Sequence, residues 1–378
     1  MTIRTRIEYE HALQALGICI SARIPVLLWG PPGEGKTAVV ESASDAGWHV
    51  ETLIVSHYEP SDFAGLPVIG ADGSVTLAPP GWATRLAAVD GPSIAFFDEF
   101  STASPALQAA ALRPLTHFEV GALQLPDTVS FVAAANPADI AASGWELAAP
   151  TASRFVHLDW ALPIEVYAEC LITQAWPALP VYPIPPDQDG AQGRQRVLVS
   201  GFLRARQSQI SVIPVDSAAR GRAFPTPRTW DYATRLAAFA AAVGAPKEVI
   251  RLLVTGCVGD LTAHEFLTWS DAQDLPDPED LLADPHGFDF TGRRPDRVYV
   301  TLQSVLAAVV RETTARRWTD AVTLCAVAAK AVGIDPAVPV VRALLRDGLR
   351  PADAQLPTGI TVFAPALSLA GLLGPAAP

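Results

Sequence analysis

Apolar and polar positions recur along this chain in two different periods, and the changes of period outline its elements. Residues 6–22 carry apolar side chains at helical spacing, which predicts an amphipathic helix leading into a short buried strand, Ile24–Trp29. A knot of Gly and Pro follows, and a helix starts within GKTAVVESASDAG. Further short runs read as strands at 48–55 (WHVETLIV), 93–98 (SIAFFD), 129–135 (VSFVAAA) and 155–159 (FVHLD). Helical stretches such as Pro105–Thr116 separate most of them. Strands alternating with helices predict an α/β fold with a mainly parallel sheet covered on both faces.

Two short hairpins interrupt the alternation. One is Val68–Leu77, where Asp72-Gly73 supplies the turn. The other is Phe118–Leu125, turning near Gly121. After Trp160 the character changes. A helix over Pro163–Ala175 leads into AWPALPVYPIPPDQDGAQG, which is expected to be loop or extended segment. An Arg-rich stretch follows (Arg194, Arg196, Arg204, Arg206, Arg220, Arg222), then helices at roughly 228–243 and 246–257. Residues 271–290 hold seven carboxylates and no Lys or Arg, the mark of a solvated linker or docking segment. From about residue 296 to Gly348 the pattern is helical again, and no internal repeat is visible.

Composition narrows the classes. Half the residues are hydrophobic and the mean hydropathy is +0.25, which raises the question of a membrane span. The most apolar stretches, around Leu236–Val243 and Val322–Val341, are short and Ala-rich or broken by Lys330, Asp335 and Pro336, so no membrane span is expected. The N-terminus lacks the apolar core of a signal peptide, and a cytoplasmic protein is the expectation. The apolar end, VFAPALSLAGLLGPAAP, carries three prolines and suits a packed or partner-bound tail. Four scattered cysteines without CxxC pairing point to buried free thiols. A net charge of −12 disfavours non-specific nucleic-acid binding. Lys occurs only at positions 36, 247 and 330, and Lys36 sits in the Gly/Pro knot.

That knot, Gly30-Pro-Pro-Gly33-Glu-Gly35-Lys36-Thr37, matches GxxxxGK[ST] between a strand and a helix. Its glycines let backbone N–H groups curl around phosphate oxygens. Gly30, Pro31, Pro32, Gly33, Glu34, Gly35, Lys36, Thr37 and Ala38 are the candidate nucleotide contacts. Lys36 would reach the β- and γ-phosphates, and the Thr37 hydroxyl would ligate Mg2+. SIAFFDEF delivers Asp98 and Glu99 to the end of a buried strand. Asp98 would hold the Mg2+ shell, and Glu99 would polarise an attacking water. Asn136, at the end of VAAANP, can hydrogen-bond water and γ-phosphate without competing as a base. Each has a plainer alternative: a turn without ligand, a strand ending in solvated acids, an Asn-Pro turn.

Together IPVLLWGPPGEGKT, EPSDFAGLPVI, SIAFFDEF, VAAANP, ASRF and PTPRTW resemble the AAA+ ATPases, and more narrowly the MoxR-type branch beside the midasin- and dynein-related modules. The resemblance spans roughly residues 8–270. It implies an AAA+ P-loop NTPase core with a five-stranded parallel sheet over 1–160, a helical lid over 161–270, and an acidic linker with a helical C-terminal extension over 271–378. It also implies a ring homo-oligomer, usually a hexamer, with ATP between subunits. Arg154, in TASRF, resembles an arginine finger reaching the neighbour's site, and Arg228, in FPTPRTW, resembles a sensor arginine touching γ-phosphate in cis. Ordinary ion pairing is the alternative for both. Ser153 stands where many relatives carry an acid before the finger, which leaves Arg113 as a rival. His57 is a candidate for tuning Glu99.

The two hairpins carry only Asp72 and Glu119 as charges, whereas a duplex-DNA motor would place Lys or Arg there. A protein client is therefore expected, with a von Willebrand factor A-like (VWA) partner implied by the resemblance. The Arg-rich stretch is read as a partner or subunit contact, or as a surface resting on acids such as those at 271–290. The rival functions are a nucleic-acid-linked motor and a non-catalytic nucleotide-binding scaffold; ATP versus GTP stays open.

Overall fold

The computed structural model of this protein describes residues 3, 5–137, 144–186, 188–273, 275–346 and 348–368. The apolar tail lies from residue 369 onward outside the described residues. The chain divides into two compact units, one of residues 1–186 with 208–264, the other of 187–207 with 265–378.

The first unit is α/β. Its strands are β1 (Val26–Trp29), β2 (His49–Ile54), β3 (Leu66–Ile69), β4 (Val75–Ala78), β5 (Ser93–Asp98), β6 (Glu119–Val120), β7 (Leu123–Gln124), β8 (Val129–Ala135) and β9 (Val156–Asp159). Five of them form one parallel sheet in the order β2-β5-β8-β1-β9. Both faces of such a sheet are covered, which is why its inner strands read as unbroken apolar runs. β1 and β8 are buried along their whole length, while the edge strand β2 is partly exposed.

One face carries Leu27, Phe97 and Phe131, packed with Phe63, Trp82, Phe100 and Phe155. The Phe63 and Phe97 rings lie 5.4 Å apart and those of Phe100 and Phe155 5.5 Å apart, both edge to face. The other face receives the helix Arg6–Ser21, whose Ile20 carbonyl accepts from the buried Ser130 hydroxyl of β8 at 2.7 Å. That helix opens with a capping box in which Thr5 and Glu8 satisfy each other's backbone N–H groups. Helices Pro227–Ala242 and Lys247–Val258 pack on one another and on Arg6–Ser21, and the second also lies on β9.

β3 and β4 pair antiparallel, as do β6 and β7, and the two hairpins meet where Ala122 N–H donates to the Leu77 carbonyl at 2.8 Å. The first is not a packed turn: Leu66, Val68, Ile69 and Val75 are all exposed.

The second unit is helical. Helices Pro295–Arg311 and Ala315–Val332 build its core around Trp318, whose indole N–H donates to the Leu344 carbonyl at 2.8 Å. Helix Gln188–Ala205 packs along Pro295–Arg311, and Phe202 meets the rings of Phe266 and Trp269.

Several expectations change here. Residues 188–193, expected as loop, open the helix Gln188–Ala205, and that helix groups with the C-terminal unit rather than with helices 227–258. Asp260–Asp271 is a helix where none was expected. The acidic segment is not simply a solvated linker. Within it Pro278–Ala283 is helical and buries Leu281 and Leu282, and Glu279 binds Arg311 and, through both guanidinium nitrogens, Arg317. Glu279 therefore anchors cations of its own bundle, while Arg206 of the Arg-rich stretch takes Glu265 and Arg222 takes Asp159.

Cys19, Cys257 and Cys325 are buried free thiols, and Cys170 is half-buried. Among the described residues no helix is long and apolar enough to cross a membrane.

His157 on β9 is buried with both nitrogens engaged. Its Nδ1 accepts from Trp29 Nε1 at 2.9 Å, so Nε2 carries the proton and donates to the Ala152 carbonyl at 2.9 Å. Burial depresses its pKa to about 4 from 6.5. A depressed histidine binds its proton more readily in the unfolded chain. The neutral form's contribution is thus complete above pH 6.5 and is lost as the pH falls toward 4, up to ~3 kcal/mol in all. Denaturant titrations between pH 4 and 7 should show wild type losing more stability than His157→Gln over this window; parallel pH curves would refute it.

Candidate nucleotide-binding site

At the end of β1 the chain turns through Gly30–Gly35 and enters the helix Lys36–Glu41 at once. Two glycines are demanded by geometry. A Cβ at residue 30 would lie 2.3 Å from the Trp160 carbonyl oxygen, and Gly35 caps the helix at φ +73. Lys36 is buried and spends two donors on the loop and one on Asn136. Nζ lies 2.7 Å from the Gly30 carbonyl, 2.7 Å from that of Pro31 and 3.1 Å from Asn136 Oδ1. Burial lowers the Lys36 pKa, opposed by the carboxylates of Asp98 and Glu34.

The parallel sheet brings the other strand ends to this loop. Thr37 Oγ1 donates to Asp98 Oδ2 at 2.7 Å, joining the first helical turn to the end of β5. Asp98 Oδ1 accepts from Glu99 N–H at 2.8 Å, and Glu99 takes the left-handed conformation with φ +56. The Glu99 carboxylate accepts from the Ser56 hydroxyl at 2.8 Å. Asn136, just past β8, donates its N–H to the Ser101 hydroxyl at 3.1 Å. Lys36, Thr37, Asp98, Glu99 and Asn136 therefore meet at the carboxyl edge of the sheet.

Arg154 and Arg228 are elsewhere. Val156 pairs with Val26, so Arg154 lies just before the amino edge of the sheet, about 10 Å or more from the strand ends at Trp29. Its guanidinium donates to Thr116 Oγ1 at 2.8 Å and to the Pro150 carbonyl at 2.5 Å. Arg228 donates to the Ser153 hydroxyl at 3.2 Å, beside Arg154. Burial, and after it the neighbouring Arg228 charge, lower the Arg154 pKa. The chain thus carries Arg228 to the edge opposite Lys36, beside Arg154 and not over the loop of its own chain. Arg113, the rival trans residue, is tied to Glu119 at 2.6 Å.

Of the remaining loop residues, Pro32 and Gly33 are exposed, while Pro31 and Ala38 are half-buried. Glu34 is engaged structurally: its carboxylate accepts from Leu162 N–H at 2.7 Å and its carbonyl from Trp160 Nε1 at 3.0 Å. His57 is exposed, and the group touching Glu99 is Ser56, one residue earlier. Sequence reasoning missed Ser56 and Ser101, and it named Arg222 only within the Arg-rich stretch, whereas its guanidinium lies 4.3 Å over the Trp29 ring and pairs with Asp159. Nothing in the sequence marked Ser56; the register Ile54↔Asp98 sets the two strand ends side by side.

Chemically, the loop offers backbone donors and an ammonium to an anion, and the Thr37–Asp98 pair offers hard oxygen ligands of the kind Mg2+ takes together with phosphate oxygens and water. No group of three or more His, Cys, Asp or Glu able to hold a metal occurs among the described residues, so an ion here would rest on that pair and on ligand oxygens.

Residues 25–155 match the family description AAA domain (dynein-related subfamily). No curated protein matches the sequence. Among solved structures, an ATPase candidate from Cytophaga hutchinsonii is 15% identical, covering 66% of this chain and 81% of that one, with a TM-score of 0.42. A full-length MCM homolog from Methanopyrus kandleri is 17% identical, covering 70% of this chain, with a TM-score of 0.36; this chain spans 55% of its length. The stretch that holds β1 through β8, ending just before β9, is thus similar over its whole length to an AAA domain of the dynein-related subfamily.

Proposed function

We propose that this protein is a MoxR-type AAA+ ATPase that hydrolyses Mg2+-bound ATP in a ring of its own copies and uses the work to remodel a protein partner, with a VWA-like fold as the expected client class. The observation that carries the reading is the split of the site. Lys36, Thr37, Asp98, Glu99 and Asn136 converge at one edge of the sheet, while the two arginines suited to transition-state charge stand together at the other. Arg154 and Arg228 cannot serve the loop of their own chain, so both would act on the loop of a neighbour.

The roles follow from the contacts. Lys36 exchanges its two carbonyl partners for phosphate oxygens, keeping the charge in a cradle already shaped for it. Thr37 and Asp98 would hold Mg2+, which neutralises phosphate charge when bound. Glu99, with Ser56 on one carboxylate oxygen, orients water for attack, and Asn136 shares the terminal phosphate with Lys36. The exposed apolar hairpin β3–β4, without Lys or Arg, favours a protein surface over nucleic acid as the client.

Three measurements test this. Glu99→Gln should keep ATP affinity and lower kcat by about 100-fold or more, as expected for loss of the water-orienting base; wild-type turnover by this variant would defeat the assignment. Arg154→Ala or Arg228→Ala, each inactive alone, should regain hydrolysis when mixed with inactive Glu99→Gln protein, because mixed interfaces then pair an intact loop with intact arginines. Mixtures that stay inactive would refute the shared site. Affinity capture on ATP-loaded Glu99→Gln protein then identifies the client, and recovery of nucleic acid alone would overturn the remodelling role.

A further inference from the structure

The sheet order decides more than which groups meet the phosphates. Asn136 follows β8 and Asp98 ends β5, both on one side of β1, and Lys36 leans toward Asn136. β9 and the segment after it lie on the other side of β1. A nucleotide whose terminal phosphate faces Asn136 and Asp98 must therefore carry its nucleoside out over the β9 flank of the loop.

Two tryptophans stand on that flank. Trp160 is buried, edge-on to Tyr9 with centroids 5.1 Å apart, and its N–H holds the Glu34 carbonyl, so its ring is committed to the fold. Trp176 is different. Its indole lies on Gly35, close enough that a Cβ there would come within 2.8 Å of Cζ3, yet the residue is 38% exposed. The Pro-rich segment that carries it is fastened down. Leu179 N–H donates to Ser42 Oγ at 3.3 Å and Tyr182 N–H to Ser21 Oγ at 2.9 Å, while the Pro180 carbonyl lies where only Gly17 leaves room. The result is an exposed indole held beside the phosphate loop by a chain that cannot drift.

We propose that Trp176 is a nucleobase-stacking residue, the surface on which the purine of a bound nucleoside di- or triphosphate rests. The inference rests on the nucleotide reading above. Stacking uses the π-face common to all bases, so Trp176 strengthens binding of ATP and GTP alike without reading their edges. As a positioning residue it fixes the angle at which the phosphate chain enters the loop.

The test separates base from phosphate by titrating ADP and inorganic tripolyphosphate calorimetrically into wild type, Trp176→Ala and Trp176→Phe. Trp176→Ala should weaken ADP about tenfold, the size of an ordinary base-aromatic stack, and leave tripolyphosphate unchanged, while Trp176→Phe keeps most of the ADP affinity. Equal loss for both ligands makes Trp176 a scaffold for the loop and overturns the proposal; unchanged or tighter ADP binding by Trp176→Ala overturns it as well. Wild type that binds neither ligand removes the nucleotide reading itself and the proposal with it. If Trp176→Ala does not fold, the emission difference between wild type and Trp176→Phe isolates Trp176. Quenching by ADP but not by tripolyphosphate supports stacking, and a signal insensitive to ADP rejects it.

Discussion

Parallel pairing of β1 between β8 and β9 is the constraint on which the rest of this molecule depends. Because all five strands run the same way, every strand end that carries chemistry arrives at one edge, and every strand start at the other. Lys36, Asp98 and Asn136 are 38 to 100 residues apart in sequence, yet no long side chain has to stretch to bring them together. The same rule sends Arg154 away. It precedes β9 by only two residues, and so it is bound to the opposite edge.

The loop is held ready for an anion by its own lysine. Buried ammonium groups are costly unless their donors are met, and here two loop carbonyls and Asn136 meet them. The turn is thus braced before any ligand arrives, and Trp160 and Glu34 brace its outer side. Binding then exchanges partners around one charge instead of creating a buried one, which keeps the reorganisation small. The neighbouring Asp98 is organised in the same way, with Thr37 on one oxygen and the Glu99 N–H on the other.

Much of this was legible in the residues. GPPGEGKT, SIAFFDEF and VAAANP are local statements: apolar runs that must be buried, each ending in a residue type that has no reason to be buried. Their strand identities, the α/β class and the glycine-bound turn from strand to helix follow from pattern and steric demand within a few residues. The two hairpins were legible too, as short alternating arms around Asp72-Gly73 and Gly121.

What the residues could not decide was which distant groups share a place. Nothing local tells that Arg228 rests on Ser153 beside Arg154 rather than over its own phosphate loop, that Ser56 and not His57 reaches Glu99, or that Glu279 serves Arg317. Nor does PALPVYPIPP announce that it carries Trp176 onto Gly35. The sequence by itself determined the elements and the chemistry at their ends, because those depend on contacts between neighbours in the chain. Only the tertiary structure decided the partners, because strand order and register place each end, and both come from packing the whole sheet at once.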